Sequence, residues 1–292
     1  VVGNIGYPYT LEALKTTEES VTVAEISSFQ LETVEEFCPE VSAILNVTPD
    51  HLDRHHTMEN YVAAKEAVTL NQTKDDFCVL NYENEYTRDF GVRCPAQVVF
   101  FSSARKLENG LYLEGEEIFF AKNGEVTKLL NVKTDMNLVG ICNIENVMAA
   151  IGISMHAGVP MENILATIKR FVAVEHRIEY VATKKGVMYY NDSKATNTDA
   201  AIQGIKAMDK PTVLIGGERV PGVGGGLCQS STTIYNAAIR TNNKDLFDRC
   251  LNLAKEGAII PLSVNDRTND WKNPEDMELL IYRGNGNFTL YE

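Results

Sequence analysis

Short apolar runs alternate with segments of helical period along the first part of this 292-residue chain, and that alternation admits few folds. VTVAEI (21–26) is a β-branched run that predicts a buried strand. SSFQLETVEEF follows, with Phe29, Leu31, Val34 and Phe37 near helical spacing, and Ser27 or Ser28 stands where a helix cap belongs. SAILNV (42–47) predicts a second strand, Thr57 to Leu70 a helix, and FCVLNY (77–82) a third strand. Strands alternating with helices form a parallel sheet covered on both faces. From 97 to 131 the pattern changes. QVVFFSS and GLYLEGEEIFFAKNGEVTKLL are rich in strand formers broken by Glu-Gly and Asn-Gly turns, which predicts antiparallel hairpins on the edge of that sheet. Residues 143–156 and 161–171 predict two helices, separated by Gly158 and Pro160. RIEYVATKKGVMYYND predicts a hairpin, 200–208 a helix, and PTVLIGG a short parallel strand. The fold class is therefore α/β: a mostly parallel sheet flanked by helices with an antiparallel hairpin region, then an incomplete second α/β domain and a short β-rich C-terminal segment.

Charge and composition narrow the function classes. Lys+Arg number 27 against 40 Asp+Glu, a net charge of −13 that would repel a phosphate backbone and argues against a nucleic-acid partner. A nucleotide needs only a local positive pocket and is not excluded. No apolar run reaches the length of a membrane span, and no secretory signal opens the chain. The six cysteines are scattered without a C-x-x-C pair, the usage of reduced thiols in a cytoplasm. The opening VVGNIGYPYT reads as the middle of a domain, so the expectation is an N-terminally truncated one.

Three side chains point to chemistry. Lys65 falls on the inward side of a helical stripe made by Met58, Tyr61, Val62 and Val68. Burying an ammonium is costly unless it is paired, deprotonated or modified. A neutral lysine amine adds CO₂ to become a carbamate, a carboxylate-like metal ligand; the competing reading is a lysine whose head snorkels to water. Glu25 lies near the C-terminal end of its strand, where open α/β sheets place ligands, and a carboxylate there suits Mg²⁺. His51 follows another strand end, as ligand, acid–base group or cap, while His55 and His56 are expected to be exposed. Further on, NDSKATN places Asp192 and Lys194 on one face of an extended segment, with Thr196 and Asn197 as caps of a helix whose N-terminus is an anion site. Arg177 in EHRIE has the fork to hold a phosphate.

GNIGYP, AEISSFQLE, ILNVTPDHLDRH, YVAAK, NIENVMAA, EHRIE and NDSKATN, in that order, resemble the Mur ligases of peptidoglycan synthesis, in particular the D-glutamate-adding branch. The resemblance covers about residues 1–217: a central domain over 1–176 and the start of the C-terminal domain over 177–217. It implies an ATP-dependent, cytoplasmic amide ligase that forms an acyl phosphate, with Mg²⁺ as cofactor and a UDP-muramoyl nucleotide, D-glutamate and ATP as small-molecule substrates. It implies Glu25, His51 and Lys65 as metal ligands, Lys65 as the carbamate, and Lys65, His51 and Asn4 as catalytic. Asn143, Asn146, Arg177, Asp192 and Lys194 become nucleotide contacts, and Ser27, Gln30 and Thr196 substrate contacts.

The chain also departs from that pattern. No phosphate loop G-x-x-x-x-G-K-[ST] occurs in it, Cys142 stands where the family usually has histidine, and the D-glutamate-gripping part does not follow Gly217. Residues 218–249 instead resemble a VanW-type domain, with Cys228 near a helix start. Residues 250–292 resemble the β-domain that follows the barrel in α-glucosidase-type hydrolases. The expectation is a ligase impaired or inactive in this chain, with a non-catalytic chimera or a VanW-like envelope protein as the alternatives.

Overall fold

The computed structural model describes residues 1–184, 186–195, 198–208, 210, 212, 258–259, 279–282 and 288–291. They fall into two compact units, Val1–Met136 with Glu145–Lys169, and Asn137–Ile144 with Arg170–Glu292.

The first unit is built on a six-stranded sheet of strands in chain order. β3 (Val41–Ile44), β4 (Phe77–Asn81), β5 (Gln97–Ser102) and β6 (Gly110–Glu114) run parallel; β7 (Glu117–Lys122) and β8 (Glu125–Asn131) complete an antiparallel meander. QVVFFSS is thus not a hairpin arm, as its composition suggested. It pairs in parallel with β4 from Phe77↔Gln97 to Asn81↔Phe101. Its own run is nearly continuous in apolar residues, as befits a strand covered on both sides.

The core sits around β4, whose Cys78, Val79 and Leu80 are fully buried. Alternate side chains serve opposite faces. Cys78 and Leu80 join Ile44, Val47, Tyr61, Val62, Phe90 and Ala96 on the face covered by α4 (Met58–Glu66) and α5 (Glu85–Gly91). Val79 meets α6 (Ile141–His156) on the other face, where a Cβ on Gly152 would lie 3.2 Å from Val79 Cγ1. α7 (Met161–Arg170) follows.

Near the N-terminus, β1 (Val2–Gly3) and β2 (Ala24–Glu25) form a separate parallel pair. The expected buried strand VTVAEI shrinks to those two residues of β2, with Val21 80% and Val23 59% exposed. Among the described residues β2 pairs with β1 alone, so nothing extends its ladder along the valines. α1 (Tyr9–Glu12) lies between the two strands. The expected long helix after β2 is one turn only, α2 (Ser28–Leu31), and α3 (Leu52–His55) is equally short.

In the second unit, β9 (Glu179–Lys184) and β10 (Val187–Asn191) make the expected hairpin, and α8 (Thr198–Lys206) follows. β11 (Ala258–Ile259), β12 (Leu279–Tyr282) and β13 (Phe288–Tyr291) form an antiparallel sheet, in keeping with the β character of that stretch. All of PTVLIGG but Thr212, and all of 218–249, including Cys228, lie outside the described residues.

Candidate functional site

Glu25 closes β2, and the neighbouring strand brings Asn4 to it. Asn4 Nδ2 donates to Glu25 Oε1 at 3.0 Å, and the Asn4 N–H donates to the Glu25 carbonyl at 2.7 Å. That approach depends on Gly3, whose φ is +103° and where a Cβ would lie 2.2 Å from the Glu25 carbonyl oxygen. The carboxylate faces water.

His51 stands at the N-terminal boundary of α3 in a left-handed conformation, φ 51°, and makes no side-chain cap. The His51 N–H donates to Asp50 Oδ1 at 2.8 Å, and Nε2 lies 3.7 Å from Asp50 Oδ2. The imidazole rests on Phe29, ring centroids 5.0 Å apart, and meets the edge of Tyr61 at 6.4 Å.

Lys65 lies one turn beyond Tyr61 on α4. Tyr61 and Val62 are buried and Met58 and Val68 pack on the same cluster, so the inward stripe is real and Lys65 is half-buried beside it. It lines a mostly apolar depression with Ile44, Val62, Tyr86 and Phe90, to which Glu66 and Thr87 also contribute. Its Nζ sits 5.0 Å from the Tyr61 ring centroid. Among the described residues no carboxylate pairs with it within 4 Å. Burial therefore pulls the amine below the usual lysine range, against a smaller opposing attraction from Asp50. Burial first, and then the Asp50 charge, pushes the Tyr61 phenol up.

The structure thus joins Asn4 to Glu25, and His51, Asp50 and Lys65 around Tyr61. Among the described residues no three His, Cys, Asp or Glu side chains converge as a ready-made metal cluster. The donors available for a metal are the open carboxylate of Glu25, the half-exposed imidazole of His51 and a modified Lys65. Such a sparse oxygen-rich set fits a hard cation that keeps most of its waters.

Other expected residues take different places. Ser27 and Gln30 close a capping box: the Ser27 N–H donates to Gln30 Oε1 at 2.8 Å and the Gln30 N–H to Ser27 Oγ at 3.3 Å. Asn143 Nδ2 donates to the Val139 carbonyl at 2.8 Å at the start of α6, and Asn146 is exposed. Asp192 and Lys194 do not share an extended face. They lie in a turn closed by the Ala195 N–H on the Asp192 carbonyl at 2.9 Å. Asp192 Oδ1 accepts from the Ile178 N–H at 3.1 Å, and burial pushes its carboxyl up while Arg177 draws it down. Gly204 of α8 leaves room for it, since a Cβ there would lie 2.4 Å from Asp192 Oδ2. Arg177 and Lys194 are exposed. Thr196 and Asn197 lie outside the described residues.

Two features escaped the sequence reading. His55, expected at the surface, is 5% exposed, with Nε2 3.0 Å from Ser28 Oγ. The polar string DHLDRHH hides this, because the cover comes from outside it, from Phe29 far back in the chain and from Tyr61 on the next helix. The second is a polar cluster at the C-terminal ends of β4 and β5. Ser103 Oγ donates to Glu145 Oε1, and Arg105 grips Glu83 through Nε at 2.9 Å and Nη2 at 2.8 Å. Burial pushes the Glu145 carboxyl up. Its signal was a glutamate between the two asparagines of NIEN, opposite two strand ends.

The chain is similar to known proteins. A family model described as Mur ligase middle domain matches residues 2–154, and one described as VanW like protein matches residues 189–249. The chain is 61% identical over 217 residues to a UDP-N-acetylmuramoylalanine--D-glutamate ligase of Lachnospira eligens, covering 74% of this chain and 48% of that protein. A ligase of the same name from Clostridioides difficile is 48% identical over the same shares. One from Koribacter versatilis is 46% identical over 247 residues, 85% of this chain and 53% of the relative. The chain therefore spans about half the length of the curated relatives it matches. Among solved structures, UDP-N-acetylmuramate-alanine ligase from Thermotoga maritima superposes with a TM-score of 0.51 at 20% identity, covering 83% of this chain and 50% of that one. That likeness is one of fold.

Proposed function

This chain belongs to the Mur ligase family, and from that premise we propose that it carries the metal and acyl side of an ATP-dependent ligase that adds D-glutamate to UDP-N-acetylmuramoyl-L-alanine in peptidoglycan precursor synthesis. Residues 1–176 are then the central domain, and 177–217 the start of the domain that meets nucleotide and amino acid. The reaction belongs in the cytoplasm, with ATP, D-glutamate and the muramoyl nucleotide as substrates.

Lys65 carries this reading. It is a half-buried amine with no carboxylate within 4 Å among the described residues and a lowered pKa, inside the stretch that the Mur ligase middle domain matches. A neutral amine attacks CO₂ through its lone pair and releases a proton, leaving a carbamate. Glu25, His51 and the Lys65 carbamate would hold Mg²⁺, which when bound supplies positive charge where phosphoryl oxygens gather it. Asn4 fixes the Glu25 carboxylate through its amide. The capping box makes Ser27 and Gln30 a rigid edge for substrate. Arg177, Asp192 and Lys194, and Asn143 and Asn146 of α6, are the proposed nucleotide contacts, and Thr196 is a proposed substrate contact.

The test is a Mn²⁺ titration followed by electron paramagnetic resonance. One ion per chain is expected in bicarbonate buffer, weakened at least tenfold in Glu25→Gln, His51→Ala and Lys65→Met. Equal binding in all four proteins refutes the assignment.

A second reading has its own observation: a VanW-like match over residues 189–249 shares the chain with the ligase match. These 292 residues contain no G-x-x-x-x-G-K-[ST] string to cradle β- and γ-phosphates. The expected result with these residues alone is no phosphate release from ATP, D-glutamate and muramoyl nucleotide. Release abolished by Lys65→Met would reverse that expectation.

A further inference from the structure

His55 touches the elements next to all three proposed ligands. Its Nε2 lies 3.0 Å from Ser28 Oγ at the start of α2, just after Glu25. Its Nδ1 lies 3.5 Å from Glu32 Oε1, while Glu32 Oε2 holds Arg54 at 2.7 Å. Its backbone N–H donates to the His51 carbonyl at 3.0 Å, one turn back. Its ring stacks on Phe29, 5.5 Å between centroids and 4° between planes, and leans on Tyr61 at 5.1 Å. Phe29 and Tyr61 are also the two rings that bracket His51, and Tyr61 lies beneath Lys65.

Ser28, His55 and Glu32 follow the nucleophile–base–orienter order of a hydrolytic triad. They do not serve as one. Ser28 is 4% and His55 5% exposed, so no substrate carbonyl reaches the serine oxygen. What the arrangement does supply is a cross-brace. Nε2 lies within hydrogen-bond distance of the serine hydroxyl and Nδ1 faces the carboxylate at 3.5 Å, partners that match a neutral ring with its proton on Nδ1. A ring with a partner near each nitrogen, stacked on Phe29 and leaning on Tyr61, ties α2, α3 and part of α4 together.

We infer that His55 is a positioning residue for the divalent cation. It sets the spacing of Glu25, His51 and Lys65, and so rests on the functional reading above. Partners behind a ligand change metal affinity by about 10- to 100-fold when removed.

The experiment uses the full chain and Mn²⁺ as probe. His55→Phe keeps the stacking and loses both polar contacts; its Mn²⁺ affinity is expected to fall about tenfold. His55→Gln offers an amide oxygen to Ser28 and an amide N–H to Glu32, and is expected to recover to within about threefold. Rescue by the amide separates positioning from packing, because glutamine restores hydrogen bonds and not ring stacking. If His55→Phe does not fold, Ser28→Ala decides, removing one contact from outside the ring with an expected loss of about threefold or more. A folded His55→Phe or Ser28→Ala that binds Mn²⁺ as tightly as the parent overturns the inference. So does a His55→Gln as weak as His55→Phe, which would leave only a packing role. A parent chain that binds no Mn²⁺ sinks the functional reading instead, and the two failures are distinct.

Discussion

Replacing Lys65 by methionine should make the first unit more stable at neutral pH. Methionine keeps the unbranched stem that packs beside Val62 and removes the ammonium. That ammonium is half-buried, has no carboxylate partner within 4 Å among the described residues, and leans on Tyr61 at 5.0 Å. Partial desolvation of a charge in such a place costs on the order of 2 kcal/mol. The cation–π contact offsets about 0.5–1 kcal/mol of it. The substitution should therefore gain about 1 kcal/mol, or about 0.5 M in a urea midpoint at a slope near 2 kcal/mol/M. The pH dependence has a definite sign. Below the lowered pKa of the folded state, Lys65 is charged in both states and the whole burial cost is felt. Between that value and the ordinary lysine value, the folded chain has released a proton that the unfolded chain still holds. Stability of the parent rises there with pH, and the advantage of Lys65→Met shrinks. Urea unfolding in bicarbonate-free buffer, followed by circular dichroism at pH 7 and again in the alkaline window, measures both effects. A Lys65→Met midpoint below that of the parent at pH 7 would show the ammonium to be stabilising and refute the reasoning.

Three further outcomes follow from named contacts. Leu80→Ala empties a fully buried site in β4 and should cost about 3 kcal/mol in unfolding free energy by urea titration, with little loss if the site collapses. Gly204→Ala sets a methyl about where Asp192 Oδ2 now lies, so α8 or the carboxylate must shift; a loss of about 1–3 kcal/mol is expected, seen as a lower thermal midpoint of the second unit. The Cys78 thiol hydrogen-bonds to Cys94 and holds the Cys94 thiol below the usual range, while Cys78 itself is pushed up by that bond and by burial. Iodoacetamide labelling read by mass spectrometry should therefore find Cys94 faster than Cys38 at pH 7, and Cys78→Ala should slow it.

The fold was legible where periodicity and burial agree. FCVLNY reads as a buried strand because β4 is covered on both faces, and the stripe of α4 reads as a helix because Tyr61 and Val62 point into the same core. VTVAEI misled because β-branched residues mark a strand only where a neighbour extends the ladder, and β2 has β1 alone. QVVFFSS reads as a hairpin arm from its composition alone because composition does not carry strand direction; in the fold it runs parallel to β4. At the site, Lys65 announced itself by breaking an apolar stripe, and Glu25 and His51 by following strand ends. His55 gave no such sign. Its burial arises from Phe29 and Tyr61, and a polar string that forms only the short helix α3 reads as surface until those rings are placed. The turn at Asp192 is hidden for a similar reason: the Ile178 N–H that donates to its carboxylate lies just before β9, fourteen residues back in the chain.

The most direct measurement of the account is a ¹³C spectrum of the chain in ¹³C-bicarbonate. The account predicts one carbamate resonance, strengthened by Mg²⁺ and absent from Lys65→Met. A spectrum without a carbamate signal at saturating bicarbonate and Mg²⁺, or a signal that persists in Lys65→Met, would contradict it.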